Sequence, residues 1–456
     1  MLAKIKQNLL VHVLDLLFAS LSWLENERLF RWSYSLIAIL AEKLAKKDYY
    51  VKKIRWIKGL FDSNHPSLTV TKRILRGTNP HHRKTLIKTF IINQALVGTN
   101  KRKEFSDRND GLYPPGFFVI SPSMKCNLNC YGCYAGYYDK KAELTFEEID
   151  SVMTQAKNMG MYFCVVSGGE PLFYPRIFDI FQKHNDMIFH MYTNGSLIDE
   201  KVCERFAEVG NVIPAISLEG FKKETDERRG EGHFDRVMKA MELLRKDKIL
   251  FGFSATLTRQ NTEILNSDEF VDFMIEKGCI LGWYFQYVPI GREPNLELMP
   301  TPEQRGYQFE RLTYLRANKP ILLADFWNDG PVVGGCLSGG RKYFHVNANG
   351  DIEPCVFVHF ANHNIRTSSL NDAIISPLFR SIRSQLPSYE NLLRPCIIID
   401  KPEISRNAIS EHGAYFTHEG AGIIYKDLSS QIDQYAKEWG DIADPLWQKY
   451  FRGKAQ

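Results

Sequence analysis

Between residues 117 and 290, short apolar runs alternate with amphipathic stretches, and this alternation confines the chain to a parallel β/α architecture. The run Phe117-Phe118-Val119-Ile120-Ser121 predicts a first strand, with further strands at about 162–166, 187–192, 212–218, 250–257 and 280–288. Helices are expected between them at about 175–184, 198–208, 234–246 and 267–277. Thr145-Phe146-Glu147-Glu148 reads as a capping box opening one more, which Gly160 ends. Folds of this kind gather ligand sites at the C-terminal ends of their strands. The residues just after each run are therefore the informative ones.

After the first strand come Cys126, Cys130 and Cys133, three thiols with three and then two residues between them. Four cysteines would close a zinc site or fully ligate an iron–sulfur cluster. Three leave one metal position open for chemistry, unless a ligand from elsewhere completes a zinc site. The second strand runs into Ser167-Gly168-Gly169-Glu170-Pro171, where paired glycines let backbone approach a ligand closely. Later strands end in Thr193-Asn194-Gly195 and in Ser217-Leu218-Glu219-Gly220. Arg228-Arg229-Gly230 then precedes a helix starting near His233. Ser254 and Thr256 lie on the fifth strand, and Gln286 with Val288-Pro289-Ile290-Gly291-Arg292 ends the sixth.

The Cys-x3-Cys-x2-Cys loop followed by Gly-Gly-Glu resembles the radical S-adenosylmethionine (SAM) enzymes. The resemblance implies an α/β fold with a partial (β/α)6 TIM-like barrel over residues 117–290. It implies that Cys126, Cys130 and Cys133 hold three irons of a [4Fe-4S] cluster whose fourth iron binds SAM. Gly168, Gly169 and Glu170 then correspond to the motif that binds the methionyl amino group. Asn194 lines the cavity, and Ser217 and Glu219 contact the ribose or amino-acid part. Arg229, or its neighbour Arg228, pairs with the SAM carboxylate, for which a planar guanidinium is suited. Many relatives carry an aromatic residue just before the third cysteine, but Gly132 stands there, so adenine packing falls to Tyr134 or differs altogether. The implied reaction is one-electron cleavage of SAM to methionine and a 5′-deoxyadenosyl radical, which takes a hydrogen atom from substrate. A reductant such as flavodoxin or ferredoxin supplies the electron.

Beyond residue 290 the alternation stops, with a helix expected near 302–317. Phe344 to Cys355 reads as a small hairpin delivering a cysteine, similar to the entry of SPASM and Twitch domains. By that resemblance residues 320–400 hold a second [4Fe-4S] cluster on Cys336, Cys355 and Cys396. The full pattern has seven cysteines, so the fourth ligand is a histidine such as His359, a bound substrate, or none. The alternative is three buried structural thiols. Cys164, Cys203 and Cys279 read as core, and residues 401–456 as a helical extension.

Residues 1–105 form a basic head, with 20 Lys and Arg against 7 Asp and Glu, while the rest has 38 against 46. Leu9, Val13, Leu16, Leu17, Leu21 and Leu24 fall at helical spacing, with Asn8, His12, Asp15 and Ser22 as a polar stripe. Helices at about 33–47 and 51–61 follow, and residues 99–116 read as a linker. Apolar stripes, lysines and Trp23, Trp32 and Trp56 are what an interfacial membrane helix needs; a lid packed on the catalytic body would use the same pattern. No apolar run reaches transmembrane length and no cleavage site follows the first helix. The expectation is a cytoplasmic protein, peripheral at the inner face of a membrane through residues 1–60. His81 and His82 read as surface or lid residues. The substrate expected is a membrane-associated lipid or isoprenoid, alternatively a peptide or protein; nucleic acid is not expected. A non-catalytic iron–sulfur electron carrier would need no SAM pocket.

Overall fold

The computed structural model describes residues 2–44, 48–63, 65–386 and 390–452. Seven strands run parallel in chain order: β1 (Phe118–Ile120), β2 (Phe163–Val166), β3 (Ile188–Thr193), β4 (Val212–Ser217), β5 (Gly252–Leu257), β6 (Leu281–Gln286) and β7 (Leu322–Asp325). On the other side of β1 lies β8 (His345–Val346), also parallel, which turns back through an antiparallel pairing into β9 (Ile352–Glu353). The sheet order is therefore β7-β6-β5-β4-β3-β2-β1-β8-β9. The sequence led to six strands and a separate C-terminal domain. Instead the alternation resumes after the helix Pro302–Asn318, and the cysteine-bearing hairpin extends the same sheet. Strands of two to four residues are too short to leave a periodic signal.

The sheet is strongly curled. Tyr192 on β3 meets Phe285 on β6 at 5.4 Å between ring centroids, and His190 meets Trp283 at 6.0 Å. In a flat sheet, strands three apart stand roughly 14 Å from one another. Their side chains touch only because the strands wrap round a common interior, the wall of a partial barrel. Helices cover the outside; Phe146–Asn158 buries Ile149, Val152, Met153 and Ala156. Its capping box forms as the sequence suggested, with Thr145 Oγ1 accepting from Glu148 N and Glu148 Oε2 from Thr145 N.

The head folds as α1 (Leu2–Ser22), α2 (Glu27–Leu44), α3 (Asp48–Asp62), α4 (Ser67–Arg76) and α5 (Pro80–Leu86). A π-helical stretch, Ile87–Val97, then continues into α6 (Gly98–Arg108). The predicted linker is thus largely helix; residues 45–47, expected at the end of the second helix, lie outside the described residues.

The head meets the body at the starts of the strands. Gln94 donates to Gly116 O and accepts from Tyr162 N, before β1 and β2. Asn93 donates to Asp186 O before β3, and His81 packs on Gly210 before β4. Asn79 N bonds to Lys248 O before β5, while Arg73 reaches Cys279 O and Pro320 O before β6 and β7. The head is a base plate under the barrel, not a lid over the strand ends where the cysteines lie. His82, expected at the surface, is buried there, and burial pushes its pKa down to about 4. Arg102 is buried beside Gly160 and donates to its carbonyl at 2.6 Å. Arg102→Met should cost about 2 kcal/mol of stability in chemical denaturation, with helix content unchanged by circular dichroism.

Candidate active site

The loop from Ser121 to Tyr138 leaves β1 with almost no regular structure of its own, and its neighbours hold it by the backbone. The turn after β2 pairs with its start: Gly169 N donates to Ser123 O at 3.0 Å and Glu170 N to Lys125 O at 2.8 Å. A Cβ on Gly169 would stand 2.2 Å from Lys125 O, and one on Gly168, whose φ is +117°, 2.5 Å from Ser123 O. Only glycine permits that approach. Further on, Arg228 donates to Tyr131 O at 3.3 Å and Gly132 O at 3.4 Å. Arg292 donates from its side chain to Cys130 O and from its backbone to Cys133 O, both at 3.0 Å. Gly291 next to it has φ +73° and lies against Cys133 O.

Held in this way, Cys126, Cys130 and Cys133 line one cavity of about 720 Å³. Gly168, Gly169, Asn194, Ser217, Arg229 and Tyr134 line it too. Asn194 donates to Asn127 Oδ1 at 2.8 Å and comes within 3.9 Å of Cys126 Sγ. Ser217 Oγ lies 3.0 Å from Ser254 Oγ. Burial pushes the Cys130 thiol up, and the guanidinium of Arg229 opposes that shift. Glu170 and Glu219, the other two expected contacts, stand just behind residues that line the cavity. Glu170 is fully buried, accepting from Thr193 Oγ1 and Asn194 N at 2.7 Å and from Leu172 N at 3.1 Å. Burial raises its pKa, against those three hydrogen bonds. Glu219 bridges Arg228 at 2.8 Å and Arg229 at 2.5 Å. Both carboxylates thus fix residues that face the cavity. Arg228 and Arg229 end a short helix, Lys222–Arg229.

The unusual Gly132 has a local cause. Its φ is +60°, and a Cβ there would lie 2.6 Å from Cε2 of Tyr287. The ring of Tyr287, after β6, occupies the room that a side chain at 132 would need. Nothing near Tyr287 in the sequence signals this, because the pairing spans 155 residues.

A second group lies where β8 and β9 extend the sheet. Cys336, Cys355 and Cys396 line one pocket with Phe326, Trp327 and Tyr343. Tyr343 donates to Cys355 Sγ at 2.7 Å, and Ser338 Oγ lies 3.1 Å from Cys336 Sγ. Asp400 accepts from Cys396 N at 3.0 Å and pairs with the buried Arg305 at 2.6 Å. Burial pushes the Cys355 thiol up to about 12. His359, one expected fourth ligand, does not line this pocket; its ring nitrogens face Val356 O and His418 Nε2. Among the described residues no three His, Cys, Asp or Glu side chains close on a single-ion position, as a mononuclear zinc site requires. Two sets of three thiols, each facing one cavity but not one point, suit a larger iron–sulfur group.

Two family models match the chain, the Radical SAM superfamily over residues 120–269 and SPASM, an iron–sulfur cluster-binding domain, over residues 336–397. The chain is a radical SAM enzyme with a SPASM domain. Such domains bind SAM and [4Fe-4S] clusters, and the two thiol sets fall in the matched segments. Over 270 residues the radical SAM enzyme is 27% identical to the AdoMet-dependent heme synthase of Methanosarcina barkeri, covering 53% of this chain and 76% of that one. It is 23% identical over 286 residues to the PqqA peptide cyclase of Gluconobacter oxydans, covering 59% of this chain and 79% of the relative. SuiB of Streptococcus suis, bound to precursor peptide SuiA, shares the fold with a TM-score of 0.55 at 22% identity, covering 70% of this chain and 76% of SuiB.

Gly169→Ala should push the cysteine loop off the turn after β2. Anaerobically reconstituted protein is expected to lose about one cubane, some four irons per chain, by iron assay, while Ser217→Ala keeps it.

Proposed function

We propose that this radical SAM enzyme takes a hydrogen atom from an apolar carbon of an elongated, lipid-like substrate, an isoprenoid or fatty chain. The observation that carries this reading is the lining of the large cavity. Away from the cysteines its walls are mainly apolar, Val119, Tyr192, Trp283, Phe285, Phe326 and Phe357, with Ser254, Thr256, Gln286 and Lys342 among them. It reaches Phe163 and Gly116 at the opposite ends of β2 and β1, so it runs the length of the strands. Four residues of β2 alone span roughly 13 Å. A chain of carbons fits such a slot, and the buried Gln286 amide, without a partner among the described residues, can meet one polar group on it.

In this reading Cys126, Cys130 and Cys133 hold the SAM-binding cluster. Gly168, Gly169, Asn194, Ser217, Arg229 and Tyr134 surround the SAM, with Glu170 and Glu219 acting through their neighbours. When bound, the cluster and SAM supply a 5′-deoxyadenosyl radical on one-electron reduction, with flavodoxin or ferredoxin as donor and a reducing cytoplasm as the setting. The protein's part is exclusion and aim. The aromatic walls keep water from the reacting carbon. Two phenols of the wall are held in place, Tyr134 against Ser167 Oγ at 2.8 Å and Tyr343 donating to Cys355 Sγ. Cys336, Cys355 and Cys396 would hold the auxiliary cluster with no histidine as fourth ligand. Phe326, Leu337, Tyr343 and Phe357 line both cavities, so that cluster would lie one side chain from the substrate. A peptide substrate is the second reading, supported by the likeness to SuiB and to PqqA peptide cyclase.

Protein reduced anaerobically with dithionite in the presence of SAM should release 5′-deoxyadenosine, seen by liquid chromatography, and Cys130→Ala should release none. No product from protein with its iron intact would end the reading. Mass spectrometry of cells with and without the gene should show a changed lipid; a changed peptide would give the site to the second reading. Replacing Cys336, Cys355 and Cys396 together by alanine should remove about four irons, one cubane's worth.

A further inference from the structure

α1 is apolar on both sides. Inward, Val11 and Leu21 are buried and Leu14 and Phe18 pack in the head's cores, with Asp15 pairing with Arg83 of α5 at 2.8 Å. Outward, Leu9, Val13 and Leu16 recur at helical spacing along a second apolar stripe, and Leu9 and Leu16 are 62% and 57% exposed. A helix on a water-soluble body turns charged and polar residues to that side. α2 does the same: Phe30 and Ala38 are buried inward, while Trp32, Leu36 and Leu40 form an outer stripe, with Trp32 66% and Leu40 52% exposed. Lys43, also exposed, lies one turn further along the same face. On α3, which packs against α2, Trp56 is 67% exposed. Apolar stripes exposed along successive helices mark a binding face.

We infer that the outward faces of α1 and α2 dock on an anionic lipid bilayer, lying in its interface without crossing it. Charge selects the occupant. The head carries 20 Lys and Arg against 7 Asp and Glu, which draws it to anionic headgroups and sets it against a second copy of itself. Tryptophans beside the stripes belong at the headgroup level, where an apolar ring has one wet edge. Among the described residues no helix is long and apolar enough to span a bilayer, so the helices lie in the surface plane. The inference is independent of what the radical attacks, because vesicle binding and deoxyadenosine release are separate readouts.

The test is anaerobic flotation of the whole, cluster-loaded protein with vesicles of phosphatidylcholine, with or without phosphatidylglycerol. The protein should rise with the anionic vesicles and less so at high salt, since the charge part is screened. Leu16→Glu with Trp32→Glu removes two exposed apolar anchors and should lower the bound fraction roughly tenfold or more. Its iron content, visible spectrum and deoxyadenosine release should stay those of the parent, and the milder pair Leu16→Ser with Trp32→Ser should fall between. Absence of flotation with anionic vesicles, or equal flotation of the doubly acidic variant, would overturn the inference. So would a dimer in sedimentation that the same variant turns into monomer, for then a second copy covers the face.

Discussion

Holding an irregular loop still is the physical problem on which this molecule turns. Between Ser121 and Tyr138 the backbone has no helix or strand to satisfy it. Its carbonyls are instead claimed one by one by the turn after β2, by Arg228 and by Arg292. Each of these clamps takes a backbone oxygen and not a sulfur. Among the described residues Cys126 Sγ accepts only the weaker contacts of Leu128 N at 3.4 Å and Asn194 Nδ2 at 3.9 Å, which leave lone pairs for a metal. Glycines at 168, 169 and 291 then follow of necessity, since a side chain at any of them would strike the loop backbone.

The same loop joins the two halves of the chemistry. Strand β1, which feeds it, is flanked by β2 on one side and by β8 on the other. Behind it lies a buried polar group: His345 bonds to Ser121 Oγ at 2.8 Å and to Glu353 at 2.6 Å. Glu353 also accepts from Tyr138 at 2.8 Å. A buried carboxylate is tolerable only with its lone pairs filled, and here its partners come from the cysteine loop, the hairpin and Thr417. The network makes the C-terminal region part of the scaffold for the first thiol set. Shifting β8 would disturb both.

Much of this was legible in the residues. Strands β3 to β6, of six residues each, and their helices stood out because each is long enough to show its period, and the cysteine spacing named the loop. Glycine pairs at a strand end pointed to close approach, though not to what is approached. That depends on Ser123 and Lys125, over forty residues earlier. The resemblance gave Glu170 and Glu219 as SAM contacts; what the residues alone did not show is that both also hold the cavity-lining Thr193, Asn194, Arg228 and Arg229. Tyr287 at Gly132 and Tyr343 at Cys355 are tertiary pairings with no local signature. The linker reading of residues 99–116 failed because Lys101-Arg102-Lys103 looks solvated, yet Arg102 is drawn into the seam by Gly160 O. The orientation of α1 was also beyond the sequence, since a helix wheel shows a stripe but not the side that faces water.

The base plate has a consequence for the order of synthesis. Residues 1–108 leave the ribosome before any of the strands whose starts they cap has been made. Arg73 must wait some two hundred residues for the carbonyls of Cys279 and Pro320. Through that interval the head has its own small core of Leu21, Phe30, Phe61, Leu68 and Leu75, and two uncovered leucine faces. Domains form as they emerge, so the head meets other surfaces in the cell before the barrel does. Whatever holds those leucines early also fixes where the barrel is then assembled.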